Sequence, residues 1–192
     1  MTTPRFLWIG TILAALVAVG TVAGCGDREA SKAPKPAALT REDVGYYCRM
    51  TVLDHKGPKG QVYIKGQAKP LWFTSVRDTI AFTLRPGEPK GITAIYVNDM
   101  ARANWDHPEP GTWIAARAAV YVIGSSRRGG MGGTEAVPFG DRTAAERFAK
   151  KFGGRVVTYD KIPASYVLGP TGDEPMSMPK PNKGRDNDSG EK

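Results

Sequence analysis

The 192-residue chain predicts an α+β fold: two similar, small β-β-α-β units packed together, with a flexible N-terminal tether and a disordered C-terminal tail. Three observations predict it. Phe73 and Phe82 are nine residues apart, and so are Phe139 and Phe148; each pair frames one helical pattern. Each pattern opens, two residues after its first Phe, on a good N-cap residue, Ser75 or Asp141. Each is followed by a β-branched run and preceded by strand-like text.

The elements follow in order. Residues 1–24 read as an export signal, with Arg5 as the only charge and an apolar or small run from Phe6 to Gly24. A retained membrane helix is the alternative reading of so long an apolar stretch. Val22-Ala23-Gly24-Cys25 resembles the bacterial lipobox, which makes Cys25 the expected lipidation site and ends the leader at Gly24. Residues 25–43, with Pro34 and Pro36 in a polar context, predict the flexible tether. The first unit spans 44–110, with strands expected in "YYCRMTVL" and "QVYIKG" around the turn "DHKGPKG". Ser75 with Asp78 then forms a capping box for a helix, and Ile92 to Val97 forms a strand. The second unit spans 111–170, with strands in "GTWIAAR" and "AVYVIG". Ala144, Ala145, Phe148 and Phe152 lie on one stripe of its helix, Gly153-Gly154 closes that helix, and Val156 to Tyr159 follows as a strand. Residues 171–192 are rich in proline, glycine and charge and offer almost nothing to bury.

The net charge is +8, and +7 once a leader carrying only Arg5 is removed. A basic chain invites nucleic acid, but export argues against that partner. An anionic membrane, an acidic protein partner, or a merely solvated basic surface remains. Strand, glycine-rich loop and helix also occur at phosphate sites, but neither G-x-G-x-x-G nor G-K-[ST] is present.

Two cysteines occur. If lipid takes Cys25, Cys48 has no partner in the chain. In an exported protein that points to a reactive thiol, an intermolecular bond or a metal ligand; the alternative is an inert core thiol. On a strand, Cys48 and Met50 point to one face, Arg49 to the other. A thiolate and a thioether are soft donors, which select Cu(I) over hard divalent ions. Zinc more naturally takes further Cys or His ligands, and no C-x-x-C or paired histidine is present. Met131, in "SSRRGGMGGTEAVPF", is a poor core residue between glycines and is expected to complete a three-sulfur site with Cys48 and Met50. Met100, His55 and His107 are reserve donors. Met176 and Met178 lie in the tail. No nucleophile signature surrounds Cys48, so an enzyme is not expected. A metal-free docking module stays open beside a copper carrier, with a thiol enzyme behind both.

Taken together, the lipobox Cys25, the Cys48-x-Met50 pair, "PLWFTSVRD", "AIYVNDM", "WDHPEPGTWIAARAAVYVIGS", "GGMGG", "AVPFGDRTAAERF" and "YVLG" resemble the NosL family of lipid-anchored copper chaperones for nitrous oxide reductase. Family members usually read Cys-Gly-Met; here Arg49 replaces the glycine. The resemblance implies two β-β-α-β units and Cu(I) held by Cys48 and Met50. It also implies delivery to the reductase's copper centres beside a membrane-bound maturation complex. A lipoprotein with Gly26 after Cys25 is expected at the outer membrane, facing the periplasm.

Overall fold

The computed structural model describes residues 33–108 and 111–169. The leader, Cys25 and the tail with Met176 and Met178 lie outside the described residues. The architecture is α+β, with two antiparallel sheets. Strand β1 (Gly60–Ile64) is central in the first sheet, pairing antiparallel with β2 (Leu71–Phe73) and with β3 (Ile92–Asn98). Helix α1 (Val76–Leu84) connects β2 to β3. Strand β4 (Trp113–Ala115) adds to the far edge of β3, with Asn98 opposite Trp113. The second sheet repeats the pattern. Strand β5 (Val120–Ile123) is central between β6 (Val137–Phe139) and β7 (Arg155–Thr158), and helix α2 (Arg142–Phe152) connects those two. A short α3 (Ala164–Leu168) follows.

Both helices begin where the sequence places them. Ser75 Oγ accepts from Asp78 N, and Asp141 Oδ2 accepts from Ala144 N at 2.9 Å. Each bond satisfies one of the amide donors that a helix start leaves open. α2 ends at Gly153, whose φ of 75° lies in the left-handed region that glycine occupies without a Cβ clash.

The core explains why β5 reads as an uninterrupted apolar run. Tyr121 and Ile123 pack on one face with Val76, Ile80 and Ala81 of α1 and Val97 of β3. Val122 packs on the other face with Ala144 and Ala145 of α2. Alternation along the strand therefore leads to two cores rather than to core and water. α1 also turns Phe82 toward Val62, Ile64 and Phe73 of the first sheet. One helix thus serves both sheets and fixes the two units against each other.

Three expectations need correction. The stretch "YYCRMTVL" is not a strand. It is a closed turn, followed by one turn of 3-10 helix (Val52–Asp54), and the first strands of the repeats are instead β1 and β5. "GTWIAAR" supplies β4, which joins the first sheet instead of opening the second. The tether is bound from its second half onward. Tyr96 Oη donates to Pro34 O at 2.7 Å, and Tyr63 Oη to Lys35 O at 2.9 Å. Ala37 N donates to Gln61 Oε1, and Gln61 Nε2 returns a bond to Ala37 O. Tyr63 and Gln61 lie on the face of β1 opposite Val62 and Ile64, so this segment covers the outer side of the first sheet.

Candidate metal centre

The turn that holds Cys48 is built from backbone bonds. Gly45 N donates to Met50 O at 2.9 Å, and Arg49 N donates to Gly45 O at 2.9 Å. Val44 and Thr51 form a bridge that closes the base. Closing so tight a loop puts Arg49 at φ 58°, and it is the only non-glycine residue at positive φ among the described residues. The Cys-x-Met spacing therefore works through a left-handed turn, not through strand alternation. This is the physical reason a glycine suits the middle position. It also revises the expectation that Arg49 is simply the outward member of a strand.

The turn is docked on the edge strand β2. Tyr46 N donates to Trp72 O at 2.7 Å. The Tyr46 ring packs edge-on against Phe82, with centroids 5.4 Å apart, and tilted against Phe73. Tyr46 and Tyr47 both donate to the Glu88 carboxylate, at 3.0 and 2.8 Å. The bond to Glu88 holds the Tyr46 phenol above its ordinary pKa. Burial, and then the same carboxylate, does so for Tyr47. Both phenols thus remain donors across the neutral range, and they anchor the approach to Cys48 from one side.

Cys48 is half-buried and is the free cysteine of the described residues. Its Sγ lies 3.7 Å from Thr74 Oγ1, in the residue before the N-cap of α1. A Cβ on Gly45 would fall 2.5 Å from that sulfur, so the thiol occupies the space that the absent side chain leaves. Met50 is 42% exposed. An apolar side chain left in water forgoes about 1.5–3 kcal/mol of burial, and here it is carried on a turn that is itself well bonded.

Met131 is 51% exposed. It rides a glycine turn in which Gly132 N donates to Gly129 O and Gly129 N to Gly133 O. That turn packs on the segment following the 3-10 turn Val52–Asp54. A Cβ on Gly130 would lie 2.6 Å from His55 Cβ and 2.6 Å from Lys56 O. The glycine turn of Met131 thus packs against His55 and Lys56, whereas the Cys48 thiol lies against Thr74.

The reserve donors separate cleanly. Met100 packs into the core with Phe148 and Trp105. His107 is exposed beside Asp106, which pairs with Lys56 at 3.0 Å. His55, a reserve donor by sequence, is half-buried. Its Nε2 is buried and has no hydrogen-bond partner. The signal was the Gly-Pro turn after it, which returns the chain to the protein interior. Arg127 lays its guanidinium 4.1 Å from the centroid of Trp105. Among the described residues no group of three or more His, Cys, Asp or Glu is placed to hold a metal.

The NosL family model matches residues 36–167. The chain is 43% identical over 185 residues to a protein named copper-binding lipoprotein NosL from Achromobacter cycloclastes, covering 94% of this chain and 92% of that protein. A protein of the same name from Stutzerimonas stutzeri is 36% identical over 154 residues, with 80% and 79% covered. The crystal structure described as the copper chaperone NosL from Shewanella denitrificans superposes with a TM-score of 0.63 at 33% identity, covering 67% of this chain and 95% of that one.

Proposed function

The chain belongs to the NosL family, and from that premise we propose that it is a lipid-anchored carrier of Cu(I) that hands the ion to nitrous oxide reductase during assembly of its copper centres. The observation that carries this reading is a half-buried thiol on a closed turn, with exposed Met50 on the same turn and exposed Met131 on the glycine turn beyond. Cys48 supplies the charged ligand, and Met50 and Met131 supply neutral thioethers. His55 is the nitrogen donor best situated to join them, because its Nε2 has no other partner.

Copper is the cargo. On loading, the Cys48 thiol gives its proton to solvent and a copper–sulfur bond forms; the metal stays monovalent. Thioethers are weak ligands on exposed, replaceable arms. An acceptor's donor atom therefore bonds to copper as Met50 or Met131 leaves. The Cys48–copper bond breaks last, and the thiolate regains a proton from solvent. Lipid on Cys25 would confine this exchange to the periplasmic face of a membrane, the outer membrane by its Gly26, and raise the effective concentration near a membrane-bound maturation complex.

Anaerobic titration with Cu(I) against a competing chelator tests the reading. The wild-type protein takes one ion tightly, and Cys48→Ser loses tight binding. If Cys48→Ser binds as the wild type does, the thiol is structural and a metal-free docking role takes its place.

A further inference from the structure

Glu135 touches both the N-terminus of α1 and the glycine turn that carries Met131. It is 1% exposed, two residues beyond the end of the glycine turn that carries Met131. Its Oε1 accepts three bonds: from Ser75 Oγ at 3.3 Å, Arg77 N at 2.8 Å and Ala136 N at 2.9 Å. Ser75 is the N-cap of α1 and Arg77 lies in its first turn, and Thr74, directly before the cap, touches the Cys48 thiol. Its Oε2 has no hydrogen-bond partner, and its charge is felt by the buried Lys59 ammonium. That oxygen lies 2.7 Å from where a Cβ of Gly129 would be, so it packs directly under the first glycine of the Met131 turn. The backbone is pinned as well, since Tyr166 Oη donates to Glu135 O at 2.8 Å.

A buried carboxylate oxygen without a hydrogen bond is costly. A chain that needed only an N-terminal anion for α1 could place one at the surface. Glu135 instead ties the cap of α1 to the underside of the glycine turn, and those two elements carry Cys48's neighbour and Met131.

We propose that Glu135 is a positioning residue for the copper site: its carboxylate sets the placement of the Met131 turn relative to Cys48 without itself touching the ion. This rests on the reading of Met131 as a ligand. Partners that orient metal ligands typically cost about 10- to 100-fold in metal affinity when removed. Glu135→Ala should therefore weaken Cu(I) binding about tenfold, as Met131→Ala does. The double variant should be no weaker than either single one, because both remove the same contribution. Glu135→Gln keeps the Oε1 acceptor and the side-chain volume, and should restore most of the affinity.

Gly129→Ala approaches the same contact from the other side with the carboxylate intact. Its Cβ would meet Oε2 at 2.7 Å, so the turn and the carboxylate, held by its three Oε1 bonds, must separate, and the affinity should fall although Glu135 remains; this variant decides the matter if Glu135→Ala does not fold. X-ray absorption at the copper edge supplies a readout that lost stability alone would not move: one sulfur neighbour fewer in Glu135→Ala and Gly129→Ala, and the wild-type number in Glu135→Gln. If Met131→Ala weakens binding but the Glu135→Ala loss adds to it in full, or the sulfur count is unchanged, the positioning role is overturned and Met131 stands. If Met131→Ala itself changes nothing, Met131 is not a ligand and both ideas fall together.

Discussion

Arg49 offers a test that needs no metal. Its φ of 58° is a conformation that costs a non-glycine residue about 1–2 kcal/mol. Glycine removes that cost but brings back about 0.5–1 kcal/mol through its greater freedom in the unfolded chain. The Arg49 side chain is exposed, so its loss should change stability by no more than about 0.5 kcal/mol. Arg49→Gly should therefore stabilise the fold by about 0.5–1 kcal/mol. For a domain of this size that corresponds to a rise of about 1–4 °C in Tm. Arg49→Val, β-branched at the same φ, should lose about 1 kcal/mol or more. Urea denaturation followed by tyrosine and tryptophan fluorescence gives both values. A lower midpoint for Arg49→Gly, or a wild-type midpoint for Arg49→Val, would show that the Cys48 turn is not left-handed at this position.

Two further perturbations follow from the same geometry. Gly45→Ala places a Cβ 2.5 Å from Cys48 Sγ and 3.3 Å from Thr74 Cγ2; it should cost about 1–3 kcal/mol of stability and weaken Cu(I) binding, and unchanged binding would mean that the thiol is free to relocate. The pH profile of stability should dip between about pH 7 and 8. Burial raises Glu135 from 4.5 to about 7, so its contribution is full below pH 4.5 and is lost as pH rises through 7. Burial lowers Lys59 from 10.5 to about 8, so its penalty is present below pH 8 and is relieved toward pH 10.5. Each limb is worth at most about 3 kcal/mol; Glu135→Gln should flatten the acid limb, and stability that rises from pH 5 to 7 would contradict the assignment.

The helices were legible because their signals are local. Ser75 and Asp141 cap where side-chain chemistry dictates, and the Ala144, Ala145 and Phe148 stripe meets the core. The strands were less legible. Strands β2 and β6 have three residues each, too few for alternation to show, and both read as lead-ins to helices. Pro138 in β6 obscured it further, although proline is tolerated there because β6 is an edge strand. "YYCRMTVL" has strand composition, but its tyrosines are spent on Phe73, Phe82 and Glu88, and the chain folds back between Gly45 and Met50. Strand preference is a statement about surroundings more than about backbone. β4 was foreseen as a strand, yet its partner β3 is a matter of register that no local signal encodes. At the site, Cys48, Met50 and Met131 were picked out by residue type. The turn that holds the first two depends on a positive φ at a position where the residue, Arg49, gives no hint of it. The burial of His55 Nε2 and of Glu135 is supplied only by the assembled fold.

On the proposed function, sulfur from Cys48, Met50 and Met131 holds monovalent copper. X-ray absorption at the copper edge of the anaerobically loaded protein tests it most directly. A sulfur-dominated shell that loses one neighbour in Met50→Leu and one in Met131→Leu, and collapses in Cys48→Ser, is the predicted result. A shell of nitrogen and oxygen alone, or a spectrum that these three substitutions leave untouched, would contradict it.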